Sequence, residues 1–330
     1  MDFKKDLKDF FLIDIKNLKA VGFKFTDFKK WYKSFEKSNL NHNFSLSQIK
    51  NKYKDRLILE KFNLEERIPE PKPRNILYSS IFSCPDKYKD GLFRLEKLIT
   101  EGGSLFHNLS RQIYKAPFSD GMFLDFGIHH FHLGNGPDDK FPNLIKGTDD
   151  VLYCIIYNEY AIFLQIGGHG IWNDTNLIEL AFNEFGHIIE FPILKGIGPG
   201  NNFTMQERKK IRKKGANIIT NLSGNACASL GGGIMKSGLS TKSLFRRDNL
   251  YSLYEELEIY VKTMIEENFE KLSPVLPTSN SGMFLKLIDP PKLHIIDTKS
   301  DFKAILDYNF ESKTCNGLRC FNTNDMSIFQ

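Results

Sequence analysis

The sequence contains few cysteines and no long apolar run. Its five cysteines form no CxxC pair, and an odd number of them fits a reducing compartment better than a disulfide framework. No stretch reaches the roughly eighteen apolar residues that a membrane span needs, and charges interrupt the apolar residues of the N-terminus. We therefore expect a cytoplasmic protein with no membrane span, no secretory signal and no membrane partner.

The motifs of nucleotide cofactors are also missing. The glycine-rich stretch SLGGGIMKSG (229–238) has neither the P-loop pattern G-x-x-x-x-G-K-[ST] nor the glycine spacing of a dinucleotide fold. We expect no cofactor. The segment 229–247 is predicted to form a pair of strands that its glycines bend.

The composition is that of a globular chain, with 330 residues of which 41% are apolar and 26% are charged. Residues 1–74 hold 18 Lys or Arg against 11 Asp or Glu, and they end in IPEPKPR, whose prolines favour extended chain. We predict an α+β protein in three parts: a small basic helical domain (1–70), a central domain with an antiparallel sheet flanked by helices (75–275), and a β-rich C-terminal extension packed on it (276–330).

Two basic segments are candidates for binding nucleic acid. In FKFTDFKKWYKSF (23–35), lysines alternate with aromatic residues, and in TMQERKKIRKKG (204–215) a helix with a Thr204–Glu207 capping box is almost covered by cations. The alternative is that both are solvated helix faces. The candidate phosphate-binding residues are Lys29, Lys30, Lys209, Lys210, Arg212, Lys213 and Lys214.

Four of the eight histidines lie between residues 125 and 172. In a strand over GIHHFHL, alternation puts His130 and His132 on one face and His129 on the other. The runs 151–157 and 160–166 are rich in β-branched and aromatic residues and predict a hairpin with a turn at Asn158 and Glu159. His169 follows the hairpin among glycines, which leave an imidazole exposed.

These histidines suit two kinds of chemistry. A neutral imidazole and a protonated one can act as base and acid in phosphodiester cleavage, while Lys or Arg stabilises the transition state. Alternatively, His130 and His132 are metal ligands, with His169 as the third and Asp125 or Asp150 as a carboxylate. We favour the metal-free reaction, because no carboxylate or cysteine stands at a ligand-like spacing beside the H-x-H pair.

The segment YCIIYNEYAIFLQIGGHGIW (153–172) resembles the end of RelE/ParE-like toxins, where a strand with a tyrosine precedes a turn, an aliphatic strand and a glycine-histidine pair. In RNA-cleaving members of that family the sheet presents basic residues, histidine or tyrosine to RNA. The resemblance implies such a role for Tyr157 and His169, with His130 and His132 on the preceding strand. With the preceding strand included, the resemblance covers about fifty of the 330 residues.

We therefore predict a metal-independent ribonuclease-like toxin or defence effector, with His130 and His169 as the acid/base pair and His132 and Tyr157 assisting. Its expected partners are nucleic acid, above all RNA, and a protein such as an antitoxin. Two alternatives stay open: a non-catalytic nucleic-acid-binding or assembly protein, and a metal-dependent hydrolase built on the H-x-H pair.

Overall fold

The computed structural model describes residues 2–39, 43–169, 175–199 and 202–267, and the backbone of four later strands. The helices in this part of the chain are α1 (Phe3–Ala20), α2 (Phe28–Ser38), α3 (Leu46–Glu66), α4 (Lys89–Glu101), α5 (Gly121–Phe126), α6 (Asn176–Phe185), α7 (Met205–Lys213) and α8 (Thr241–Glu267). The strands are β1 (Asn75–Tyr78), β2 (Ile128–Phe131), β3 (Asp150–Tyr157), β4 (Tyr160–Gly168), β5 (Thr220–Leu222), β6 (Asn225–Cys227), β7 (Met283–Leu287), β8 (Lys292–Asp297), β9 (Phe302–Asn309) and β10 (Thr314–Asn322). Both classes of element are abundant, so the α+β prediction is confirmed.

The chain divides into two compact units, which are residues 1–21, 43–58 and 246–330, and residues 22–42 and 59–245. In the first unit, α1 buries Phe3, Leu7, Phe11 and Ile15, whose spacing of four places them on one face of the helix. Strands β7 to β10 form an antiparallel meander in the order β10-β9-β8-β7, in the part of the chain that was predicted to be rich in β-strands.

The second unit is built on a four-stranded sheet in the order β1-β4-β3-β2. The predicted hairpin is present as β3 and β4, and its turn residue Asn158 has a φ of 44°, a left-handed value that Asn tolerates better than most residues. β2 pairs antiparallel with β3, whereas β1 pairs parallel with β4. The sheet is therefore mixed, where the sequence predicted an antiparallel one.

The core of this unit lies between the sheet and α6. Leu177, Ala181 and Phe185 on α6 pack with the side chains of Val151, Tyr153 and Ile155, which alternate along one face of β3, and with their neighbours on β4. α5 joins the same core through Met122 and Phe126. Ile128 of β2 belongs to this core, so the strand that carries His129 and His130 is packed against it.

Residues 229–247 do not form the predicted strand pair. A single bridge joins Ile234 to Ser240, and α8 begins at Thr241, within the segment that was predicted to form strands. Glycines 232, 233 and 238 have φ values of 92°, 85° and 81°, which suit turns and do not suit a strand ladder. Residues 229–240 are therefore a loop, and residues 241–247 are the start of α8.

The predicted boundaries near residues 70 and 276 do not coincide with the two units. The end of α3 belongs to the second unit: the Asn63 amide donates to the carbonyls of Ala116 (2.8 Å) and Phe118 (3.1 Å), and its Oδ1 accepts from the Ser240 amide (3.0 Å). Residues 59–64 are buried. Among the described residues, no helix has the length and apolar character that crossing a membrane requires.

Candidate active site in the second unit

The second unit contains a cavity of about 730 Å³. That volume lies in the range of about 300–1,000 Å³ that is usual for small-molecule sites. β2, the end of β4, the segment 110–121, α7 and the loop 234–238 contribute to its walls. The ionisable side chains that line it are those of Asp120, Asp125, His130, His169, Lys209, Arg212, Lys213 and Lys236.

The alternation of β2 separates its histidines as the sequence predicted. His130 faces the cavity, and its ring centroid lies 6.3 Å from that of His169. His132 lies on the same side, 5.3 Å from His169 between centroids. His129 points to the other face and packs against the rings of Phe123 and Phe131. The structure thus brings His130, His132 and His169 together and leaves His129 out.

The backbone of Thr148 holds two of these rings. Its amide donates to Nδ1 of His132 (2.9 Å), so the neutral His132 ring carries its proton on Nε2. Its carbonyl oxygen accepts from Nε2 of His169 (3.0 Å), which places a proton on that nitrogen. Both imidazoles therefore have a defined orientation and tautomer.

Burial lowers the pKa of His129 and His130 on β2 and of His132, which directly follows it. It lowers the pKa of His129 to about 3 and that of His132 to about 4, with His130 as a further cause in both. For His130, burial lowers the pKa, the Asp120 carboxylate opposes the shift, and His169 adds to it. Oδ2 of Asp120 lies 3.7 Å from Nδ1 of His130, which is beyond hydrogen-bond length but close enough for charge coupling. His130 is consequently neutral near pH 7, as a general base must be.

Asp120 is held by its place at the start of α5. As the N-cap residue it accepts from the Phe123 amide (3.1 Å), which satisfies one of the helix's unpaired donors. Asp120 was not among the predicted site residues, although an Asp before Gly and an apolar run is a typical N-cap pattern.

α7 forms the cationic wall, and the predicted capping box of Thr204 and Glu207 starts it. Two of its arginines turn inward to one buried carboxylate. Nε of Arg212 donates to Oδ2 of Asp125 (2.6 Å), Nη2 makes a second bond to the same oxygen, and Nη2 of Arg208 lies 3.5 Å from it. Arg208 also donates to Thr220 Oγ1 (2.9 Å) and is 2% exposed. Asp125 is thus the anchor of α7, and Arg208 was missed because its charge suggested solvent.

The cations Lys209, Arg212 and Lys213 line the cavity from α7, and Lys236 lines it from the loop 234–238. Gly215 allows that loop to approach the end of α7. It has a φ of 72°, and a Cβ there would clash with the backbone of Lys236. The grouping of the four cations therefore depends on a glycine at this position.

Several predicted site residues lie elsewhere. Tyr157 stands opposite Tyr160 at the turn of the hairpin, roughly 25 Å along the strand from the end that carries His169, and its hydroxyl accepts from the Glu190 amide (3.1 Å). The exposed lysines of α2, one lysine of α7 and the lysine that caps its C-terminus are also outside the cavity lining: Lys29, Lys30, Lys210 and Lys214.

The carboxylates proposed as metal ligands have other partners. Asp125 binds the two arginines, and Asp150 accepts from the Tyr88 hydroxyl (3.1 Å). Within the described part of the chain, no group of three or more His, Cys, Asp or Glu side chains is arranged to hold a metal ion. Metal-free chemistry stays a prediction, for which chelation is the test.

Comparison of the chain with protein-family models, with curated proteins and with solved structures found no match. The resemblance of residues 153–172 to RelE/ParE-like toxins therefore stays a hypothesis. The function has to be argued from the geometry of the cavity.

Proposed function

We propose that the chain is a metal-independent ribonuclease-like phosphodiesterase, with the cavity as its active site. One observation carries the proposal: His130 on β2 and His169 just after β4, 6.3 Å apart between ring centroids, share a cavity with Lys209, Arg212, Lys213 and Lys236. Two imidazoles can supply both proton transfers of the reaction, and the cations can stabilise its anionic transition state.

In the proposed reaction, the 2′-oxygen of a ribose attacks the adjacent phosphorus. Neutral His130 takes the 2′-hydroxyl proton as the 2′-O–P bond forms, and protonated His169 gives a proton to the 5′-oxygen as the P–O5′ bond breaks. The products are a 2′,3′-cyclic phosphate and a free 5′-hydroxyl, and the two imidazoles have exchanged protonation states. The lowered pKa of His130 supports its role as the base.

His132 is a positioning residue in this scheme. Its Nδ1 is engaged by the Thr148 amide, and burial keeps its pKa at about 4, so it stays neutral at the pH where the acid must be charged. Packed beside His169, it restricts where that ring can lie. Tyr157 has no part in the scheme because of its distance from the cavity.

The test is cleavage of a single-stranded RNA oligonucleotide by the purified chain. We expect His130→Gln and His169→Ala each to lower the rate about a hundredfold or more, with folding checked by circular dichroism. His187→Ala is the matched control, since His187 is exposed and outside the cavity. Activity should survive EDTA; loss that returns with an added metal would support the metal-dependent alternative, and RNA binding without cleavage would support the non-catalytic one.

The rate should also depend on pH in a bell shape. On the acid side, protonation of His130 removes the base, and its lowered pKa puts that limb below the ordinary histidine value of about 6.5. On the alkaline side, the acid loses its proton. A rate that rises steadily with pH and has no alkaline limb would contradict the two-histidine scheme.

A role as a toxin or defence effector follows if the substrate is cellular RNA in the cytoplasm. Controlled production of the wild-type chain in a bacterial host should then arrest growth, whereas His130→Gln, made at the same level, should not. Equal arrest by both chains would contradict this part of the proposal.

A further inference from the structure

The side chains that line the cavity are of two chemically different kinds. One set is charged, with the cations of α7 and Lys236 beside the carboxylates of Asp120 and Asp125, and the other is apolar, with the side chains of Phe118, Leu124, Ile234 and Met235. A nucleotide has the same division, because an anionic phosphate is joined to a base whose faces stack on apolar and aromatic side chains. The lining thus matches a nucleotide better than it matches a bare phosphate chain.

The size and depth of the cavity limit what can enter. Its volume of about 730 Å³ suits a ligand of a few tens of atoms, and His130 is only 8% exposed. A phosphorus atom must therefore enter the cavity to meet this imidazole. In a duplex the bases are stacked inside and unstacking costs a few kcal/mol per base, so a single-stranded end or a short oligonucleotide enters more easily.

Phe118 is held in place before any ligand arrives. The guanidinium of Arg67 lies over its ring at 5.7 Å from the centroid, and Arg67 is itself fixed by a bond to the Lys115 carbonyl (2.9 Å). The Phe118 carbonyl accepts from Asn63 (3.1 Å). An aromatic side chain whose orientation is already fixed loses little entropy when a base stacks on it.

The loop with Met235 is equally well defined. The Met235 amide donates to the Leu239 carbonyl (2.8 Å), the Gly238 amide donates back to the Met235 carbonyl (2.8 Å), and Oδ1 of Asn217 accepts from the Ile234 amide (2.6 Å). The same loop thus supplies both a cation, Lys236, and an apolar side chain, Met235, to the cavity lining. A thioether adapts to different bases, which suits a site without base specificity.

We infer that the cavity binds one nucleotide of a single-stranded substrate, so that the preferred substrate is of dinucleotide size, with the phosphate at the cations of α7 and the base at Phe118 and Met235. The cleavage of such a substrate rests on the proposed function, whereas its binding does not.

The binding test uses the deoxydinucleotide d(ApA), which lacks the 2′-hydroxyl and is not cleaved. We expect calorimetry to detect its binding to the full chain, and Phe118→Ala and Met235→Ala each to weaken it by about tenfold. Phe93→Ala, at an exposed aromatic residue of α4, is the control for loss of a ring. Adenosine should bind at least tenfold more weakly than d(ApA), because it lacks the phosphate.

The cleavage test compares the dinucleotide ApA with a long duplex RNA. Faster cleavage of ApA supports the inference. Cleavage of the duplex at an equal or higher rate, or binding of long RNA without binding of d(ApA), overturns it while leaving the phosphodiesterase proposal intact. Binding of d(ApA) without cleavage of ApA or of any RNA supports the ligand class and overturns the proposed function. Equal binding of adenosine overturns the assigned place of the phosphate.

Discussion

The inner and outer sides of α7 carry similar charges and have different roles. On the inner side, Arg208 is 2% exposed and shares the Asp125 carboxylate with Arg212. On the outer side, Lys210 and Lys214 are exposed and outside the cavity lining. The cations of this helix therefore do not form one surface. The buried Asp125 carboxylate binds Arg208 and Arg212, which fixes the helix so that Lys209 and Lys213 line the cavity.

We expect the largest effect from Asp125→Ala, which tests whether the inner side of α7 stabilises the fold. It leaves Arg208 buried without its carboxylate, and removal of one partner of a buried pair typically costs about 3–5 kcal/mol in the free energy of unfolding. Urea unfolding followed by circular dichroism measures the loss. Lys214→Ala is the comparison from the outer side and should change that free energy by no more than about 0.5 kcal/mol; equal losses would refute the division of α7 into two sides.

Arg212→Lys tests whether Arg212, on the inner side of α7, serves the reaction as well as the fold. Lys keeps the charge, but it cannot make two bonds to Asp125 and still present a planar group to the cavity. We expect activity on RNA to fall about tenfold, which is less than for removal of a catalytic donor. Steady-state kinetics decides: an unchanged kcat/KM would mean that Arg212 serves only the fold.

Gly121→Ala should separate function from stability. A Cβ at residue 121 would lie 2.8 Å from Nη1 of Arg212, so the guanidinium must shift, while alanine favours the first turn of α5. We expect activity to fall severalfold with no loss in the free energy of unfolding. If activity and stability stay unchanged together, the position of the Arg212 guanidinium has no influence on the reaction.

The smallest expected effect concerns the dependence of RNA binding on salt. Lys213→Ala should lower the slope of log K against log salt by roughly 0.7, the value for one contact to a single-stranded phosphate. Lys210→Ala should leave that slope as it is. Fluorescence anisotropy at several salt concentrations measures both, and equal changes would mean that binding does not distinguish the two sides of the helix.

Local patterns predicted much of this fold. The hairpin follows from β-branched residues on both sides of Asn158, the start of α7 from its capping box, and the grouping of His130 with His132 from the period of a strand. Each of these depends on residues close in sequence, where side-chain direction is set by the backbone.

What the sequence could not predict depends on distant partners. β1 joins β4 in parallel across about 85 residues, and no local pattern states the direction of such a pairing. Arg208 and Arg212 point into the protein because they bind Asp125, which is 83 and 87 residues away from them in sequence. Likewise, the role of Gly215 appears only once the loop with Lys236 lies against it.

The backbone of Thr148 links the states of two imidazoles. Its amide needs an unprotonated Nδ1 on His132, and its carbonyl holds His169. Acidification to about pH 4 protonates His132, so that its Nδ1–H and the Thr148 amide N–H are two donors facing each other. We expect the Thr148 backbone to move in response, and His169 then loses the Thr148 carbonyl as its acceptor. The hydrogen bond that orients His169 should therefore depend on the protonation state of His132, and nitrogen NMR of the His132 side chain would detect that protonation near pH 4.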